Sequence, residues 1–179
     1  MEKLKNSTKQ FSRKNFYTEA PDDQFYKKLL FLSFQLLIVS GNRVRLLKRR
    51  ALRFLDQAKR DLDDGYYDIG AFHVEQALQL YIKAVIFELF GKEYEGHGIR
   101  ELISYLSKLL KENGYEDLAK KINELIAEYR QQLIAIEDAY IDSRYENIEY
   151  ENEDLKPLIE VAEIMIKFLE EVVKIVKLG

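Results

Sequence analysis

Helix-breaking residues are scarce in this chain, and where they fall limits its fold more than any other feature. There are 8 Gly and 2 Pro in 179 residues, and Gly65, Gly91 and Gly114 each close an apolar segment with helical spacing. Val44, Leu47, Ala51, Phe54, Leu55, Ala58 and Leu62 recur at three- and four-residue steps up to Gly65, which predicts an amphipathic helix. Tyr67 to Phe90 predicts a second helix, closed by Gly91. It is apolar on two sides, with Phe72, Leu80 and Phe87 on one and Val74, Leu78, Ile82 and Val85 on the other. A helix apolar nearly all round is buried, either at a bundle centre or against a second subunit.

Gly96-His97-Gly98 is a break, after which Glu101 is placed to help cap a third helix running to Asn113-Gly114. Leu118, Ile122, Leu125, Tyr129, Leu133, Ile136 and Tyr140 approximate a heptad seam on one long fourth helix. The last helix is expected to begin near Asp154, take Pro157 in its first turn and reach about Lys177. Its stripe is Leu158, Ala162, Met165, Leu169 and Val173. No stretch alternates with period two between turn signals, so the expected fold is an all-α antiparallel bundle of about five helices.

An extra helical segment precedes that bundle. Met1 to about Asp23 is polar and lacks an apolar period, whereas Phe25 to Val39 reads as a helix that Ser40-Gly41-Asn42 stops. The division expected is therefore a partly helical N-terminal extension over 1–43 and a bundle over 44–179. The apolar run Leu29 to Val39 is eleven residues long, too short for the roughly 20 residues that a membrane helix needs. It lies too far from Met1 for a signal peptide. The expectation is a soluble cytoplasmic protein without membrane contact.

Composition removes several chemistries. With no cysteine there is no disulfide, thiolate zinc site or cysteine nucleophile. Only His73 and His97 are available as imidazoles, too few for a histidine-rich metal site within one chain. There is no P-loop, dinucleotide fingerprint or paired-acid nuclease motif, so neither a metal nor a cofactor is expected. Charge is asymmetric: residues 1–60 hold fifteen Lys and Arg against five Asp and Glu, and the rest hold thirteen against twenty-six. Arg45, Arg49 and Arg53, with Arg60 further on, form a basic stripe suited to phosphates. The alternative is that the basic segment meets the acidic part of the same chain or of a second subunit. Mid-helix His73 reads as a buried, hydrogen-bonded histidine holding a neighbouring helix. His97, at a helix entrance, reads as a capping or loop residue near backbone donors that suit an anion.

Three stretches in chain order resemble a known family. They are Tyr66-Tyr67-Asp68-Ile69-Gly70-Ala71-Phe72-His73-Val74-Glu75-Gln76-Ala77 followed by Lys83-Ala84, then His97-Gly98-Ile99-Arg100-Glu101-Leu102, then Tyr140-Ile141-Asp142-Ser143-Arg144-Tyr145. Together they resemble HEPN domains, over roughly Val44 to Lys177. The resemblance implies a helical bundle that commonly forms a homodimer and often has a minimal nucleotidyltransferase as partner. Many members are metal-independent ribonucleases or toxins, whose arginine meets, across the dimer, a histidine that follows it after four to six intervening residues. Others bind nucleotides without cutting RNA.

Arg144 fills the arginine position, but Glu149, Tyr150 and Glu151 stand where the histidine should fall. Metal-free RNA cleavage needs a base for the 2′-hydroxyl and a cation for the developing charge, and only the cation is evident. The expected function is thus a catalytically degenerate, nucleotide-binding or nucleotidyltransferase-partner dimer. Arg144, Tyr145, His97, Arg45, Arg49 and Arg53 are its candidate ligand- or phosphate-binding residues. One alternative is a ribonuclease of a toxin–antitoxin pair that uses Arg144 with Glu149, Tyr150 or His97 as base. The other is a purely structural interaction domain, with Arg144 pairing to Asp142 or to the acidic segment after it.

Overall fold

The computed structural model describes residues 23–145 and 149–178, with the side chains of 23–26, 28–30, 32–40 and 143–145 left aside. Expectations for residues 1–22 and for Glu146 lie outside the described residues. Contacts divide the chain into two units, 1–36 and 37–179. In the first, the described backbone is helical from Asp23 and Phe31 is exposed. The second holds the bundle.

The described residues form α-helices and no strand: α1 (Asp23–Asp64), α2 (Tyr67–Phe90), α3 (Ile99–Glu112), α4 (Glu116–Glu128), α5 (Arg130–Tyr145) and α6 (Asn152–Leu178). The all-α bundle is therefore as expected. Its centre is α2, which packs against α6, α5 and α3. Ala71, Val74, Ala77, Leu78, Ile82 and Val85 of α2 are fully buried. The side with Val74, Leu78, Ile82 and Val85 is thus covered within one chain, whereas Phe72, Leu80 and Phe87 on the other are only partly buried. Gly91 closes α2 at φ 62°, its N–H donating to Phe87 O at 2.9 Å, a left-handed cap that glycine adopts without a Cβ penalty.

Gly70 marks a second close approach. A Cβ there would lie 2.4 Å from Leu155 Cδ2 and 3.2 Å from Asp61 Cβ. A glycine at this point lets α2 sit tightly against both α6 and the end of α1.

Two boundaries differ from the sequence reading. Helical backbone runs through Ser40-Gly41-Asn42, so no stop occurs there. One helical glycine costs only about 1 kcal/mol, and nothing lies within 4 Å of a Cβ built on Gly41 to demand a turn. The expected single fourth helix is divided at Tyr129, whose N–H still bonds Leu125 O at 3.0 Å. Its apolar seam serves two partners. The part before Tyr129, with buried Leu118 and Ile122, packs on α3, whereas Leu133, Ile136 and Ala139 of α5 turn towards α2.

Part of the basic segment is neutralised internally. Arg43 pairs with Glu93, Lys48 with Glu88 at 2.5 Å and Lys59 with Glu163 at 2.5 Å. Lys177 of α6 also reaches Glu88 at 2.5 Å. Burial alone would raise the Glu88 pKa, but the Lys177 and Lys48 ammoniums outweigh it and hold the carboxyl below its usual range. No described helix is long and apolar enough to cross a membrane.

Candidate functional site

The remaining arginines of α1 gather on one side. At about 100° per residue, Arg49, Arg53 and Arg60 fall within roughly 40° of one another on the helix. With Arg50, Phe54, Gln57 and His73 they line a cleft of about 780 Å³. All four arginines are exposed, and none makes an ion pair or hydrogen bond with a described residue. One further carboxylate, that of exposed Asp56, borders the cleft. The local balance is strongly positive, and guanidinium forks in such a setting suit phosphate oxygens.

The stripe expected from sequence therefore splits. Arg49 and Arg53 line the cleft, and Arg60 joins them, whereas Arg45 donates to the side chain of Asn42 and does not border it. Arg50 escapes a reading by periodicity because it sits off the four-residue step.

The residue that α2 contributes to the cleft, His73, is held by a contact between helices. His73 Nδ1 lies 2.5 Å from Asp61 Oδ2, and Asp61 Oδ1 accepts from Gln57 Nε2 at 2.9 Å. Asp61 is 4% exposed. His73 does hold a neighbouring helix, as its mid-helix position suggested, but it is only partly buried because one edge borders the cleft. Phe54 flanks the imidazole with ring centroids 5.6 Å apart.

From His73 a row of rings continues across the bundle. Phe72 stacks on Tyr140 of α5 at 6.4 Å, and Tyr140 stacks on His97 at 6.5 Å with only 7° between planes. His97 itself is exposed, and its carbonyl accepts from Gln79 Nε2 at 3.2 Å. The backbone donor nearby is already engaged: Arg100 N donates to Glu137 Oε1 at 2.7 Å and Arg100 Nε to Oε2 at 2.5 Å. A carboxylate from α5 thus supplies the anion that the start of α3 favours, a place for which sequence suggested Glu101.

Arg144 and Tyr145 close α5, and their side chains lie outside what is described. Downstream, Glu149 and Glu151 are exposed and Tyr150 is half-buried. The Tyr150 hydroxyl donates to Asp142 Oδ2 at 3.2 Å. Burial pushes its pKa up and the Asp142 carboxylate adds to the rise, so this phenol keeps its proton at neutral pH.

A family model described as "HEPN domain" matches residues 44–172. No curated protein matches the chain at significant similarity. Among solved structures, the chain is similar to TT1696 from Thermus thermophilus, at 22% identity, with a TM-score of 0.57 over 73% of this chain and 98% of that one. At that identity the likeness is one of fold.

Proposed function

Because the chain belongs to the HEPN domain family, we propose that it is a phosphate-binding member of that family, one that docks a nucleotide or short RNA in the α1–α2 cleft without cutting it. The observation that carries this reading is the set Arg49, Arg50, Arg53 and Arg60, unpaired among the described residues around one cleft. Other cations of the same helix, Arg43, Lys48 and Lys59, are matched to Glu93, Glu88 and Glu163. Self-neutralisation accounts for those three and leaves the cleft arginines available.

The absence of cleavage is supported by the position where the family's histidine would fall. The three residues there are Glu149 and Glu151, exposed acids that repel a phosphate, and Tyr150, a phenol hydrogen-bonded to a carboxylate with its pKa raised and so a poor base. The same reading keeps a second copy of the chain and a minimal nucleotidyltransferase as partners, on the strength of the family membership. Light scattering tests the first and copurification the second.

The direct test is fluorescence anisotropy with labelled ATP and a labelled short RNA. Wild type should bind, the triple variant R49E/R53E/R60E should not, and the RNA should be recovered intact. No binding by wild type at millimolar nucleotide and micromolar RNA refutes the reading. RNA cleavage that disappears in Arg144→Ala replaces it with the ribonuclease alternative.

A further inference from the structure

The arginines supply the positive charge of the cleft, but they do not explain the residue that α2 adds to it. Burying a carboxylate costs several kcal/mol of hydration unless it is fully partnered. Asp61 is buried with both oxygens engaged, one by Gln57 and one by His73. An apolar residue at this point of α1 would pack without that cost. What the carboxylate adds is control of a ring. A carboxylate oxygen accepts, so Nδ1 is the protonated nitrogen of His73, and Nε2 is left on the other edge.

That edge is open. His73 borders the cleft, its side chain is 18% exposed, and Nε2 has no partner among the described residues without being a buried orphan. Phe54 and Phe72, at 5.6 and 5.8 Å between ring centroids, limit rotation of the imidazole. The result is a held ring with one nitrogen, in a cleft with four guanidiniums, all unpaired among the described residues.

We propose that His73 is the terminal-phosphate contact of this cleft, with Asp61 as the residue that positions it. Its ligand chemistry is a phosphate monoester, on a nucleotide or at the 5′ end of a short RNA. This assignment rests on the phosphate-binding reading above. Nε2 donates only from the imidazolium, and a monoester, which reaches two negative charges, stabilises that state more than an internal diester with one. The charged groups facing the ring are Asp61 behind it and Arg49, Arg50, Arg53, Arg60 and Asp56 around the cleft; Glu75, two residues along its own helix, bonds Gln76 and Gln79 instead. The arginines take internal and terminal phosphates alike, so the preference for an end comes from His73.

The test compares two pairs of probes by titration calorimetry: AMP against adenosine, and one short RNA with either a 5′-phosphate or a 5′-hydroxyl. Wild type should favour the phosphorylated member roughly tenfold to a hundredfold, the span of one charge-assisted hydrogen bond. His73→Asn should bring the RNA ratio close to one while binding of the 5′-hydroxyl RNA is kept, and should lower the AMP ratio without abolishing it, because the arginines also hold that phosphate. Asp61→Asn should lower the ratio as well, a change that loss of packing alone would not produce. His73→Gln gives the same reading if the shorter amide does not fold. A preference within the nucleotide pair alone assigns the site to mononucleotides, and one within the RNA pair alone assigns it to RNA ends. If wild type binds the 5′-hydroxyl RNA but shows no preference in either pair, or if His73→Asn lowers neither ratio, the His73 assignment falls and the arginine cleft stands. If no probe binds, both fall.

Discussion

Salt dependence separates the cleft from the rest of the basic helix. The perturbation is Arg53→Ala beside Arg45→Ala, two exposed positions eight residues apart on α1. Arg53 lines the cleft, and Arg45 is tied to Asn42 outside it. Each arginine that neutralises a phosphate of single-stranded nucleic acid adds about −0.7 to the slope of log K against log salt. Four cleft arginines give a slope of about −2.8, or a roughly fiftyfold loss of affinity between 50 and 200 mM salt. Arg53→Ala should reduce the slope to about −2.1 and that loss to roughly twentyfold, whereas Arg45→Ala should leave it at roughly fiftyfold. The assay is anisotropy of a labelled short RNA at four or more salt concentrations. Both variants should melt with wild type, because exposed substitutions change stability by about 0.5 kcal/mol or less. Equal slopes for the two variants, or an unchanged slope for Arg53→Ala, refute the assignment of the arginines to this cleft.

Three further outcomes follow from contacts elsewhere in the bundle. Gly70→Ala should cost about 1–2 kcal/mol by thermal melting, because the new methyl meets buried Leu155 and the Asp61 Cβ; a variant as stable as wild type contradicts that packing. Glu137→Ala removes both acceptors of Arg100 and should cost about 1–2 kcal/mol by chemical denaturation. Glu88 has a folded pKa below its ordinary value, so its pairs contribute stability that is present above the unfolded pKa and lost as pH falls through the folded one. Melting temperature should therefore fall in wild type from about pH 5 downwards and fall less in Glu88→Gln; parallel curves count against the two-lysine account.

Local signals made most of the helices legible. Gly91 closes α2 at the expected residue, and α3 ends at Glu112, next to the expected Asn113-Gly114. What misled was a local signal without a tertiary one behind it. Ser40-Gly41-Asn42 is a plausible stop only if something turns the chain, and the division at Tyr129 arises because one apolar seam has two partners, α3 and α2. The site was half visible. A four-residue step exposes Arg49 and Arg53, but the His73–Asp61 contact joins residues from two helices, and periodicity cannot pair helices. One clue was present: Asp61 follows Ala58 by three residues on the apolar face of its helix, and an acid there implies a buried partner. Arg144, the residue most tied to the family's activity, is placed by its backbone at the end of α5 and by nothing more.

The row of stacked rings gives the molecule a built-in pair of reporters. His73 and His97 are its only histidines, and they lie near opposite ends of the sequence Phe54, His73, Phe72, Tyr140, His97. Their imidazole protons should therefore give two separable magnetic-resonance signals, each shifted by the ring currents of its neighbours. A ligand in the cleft would move the His73 signal directly. Any accompanying shift at His97 would measure how far the disturbance travels through the aromatic stack to the loop ahead of α3.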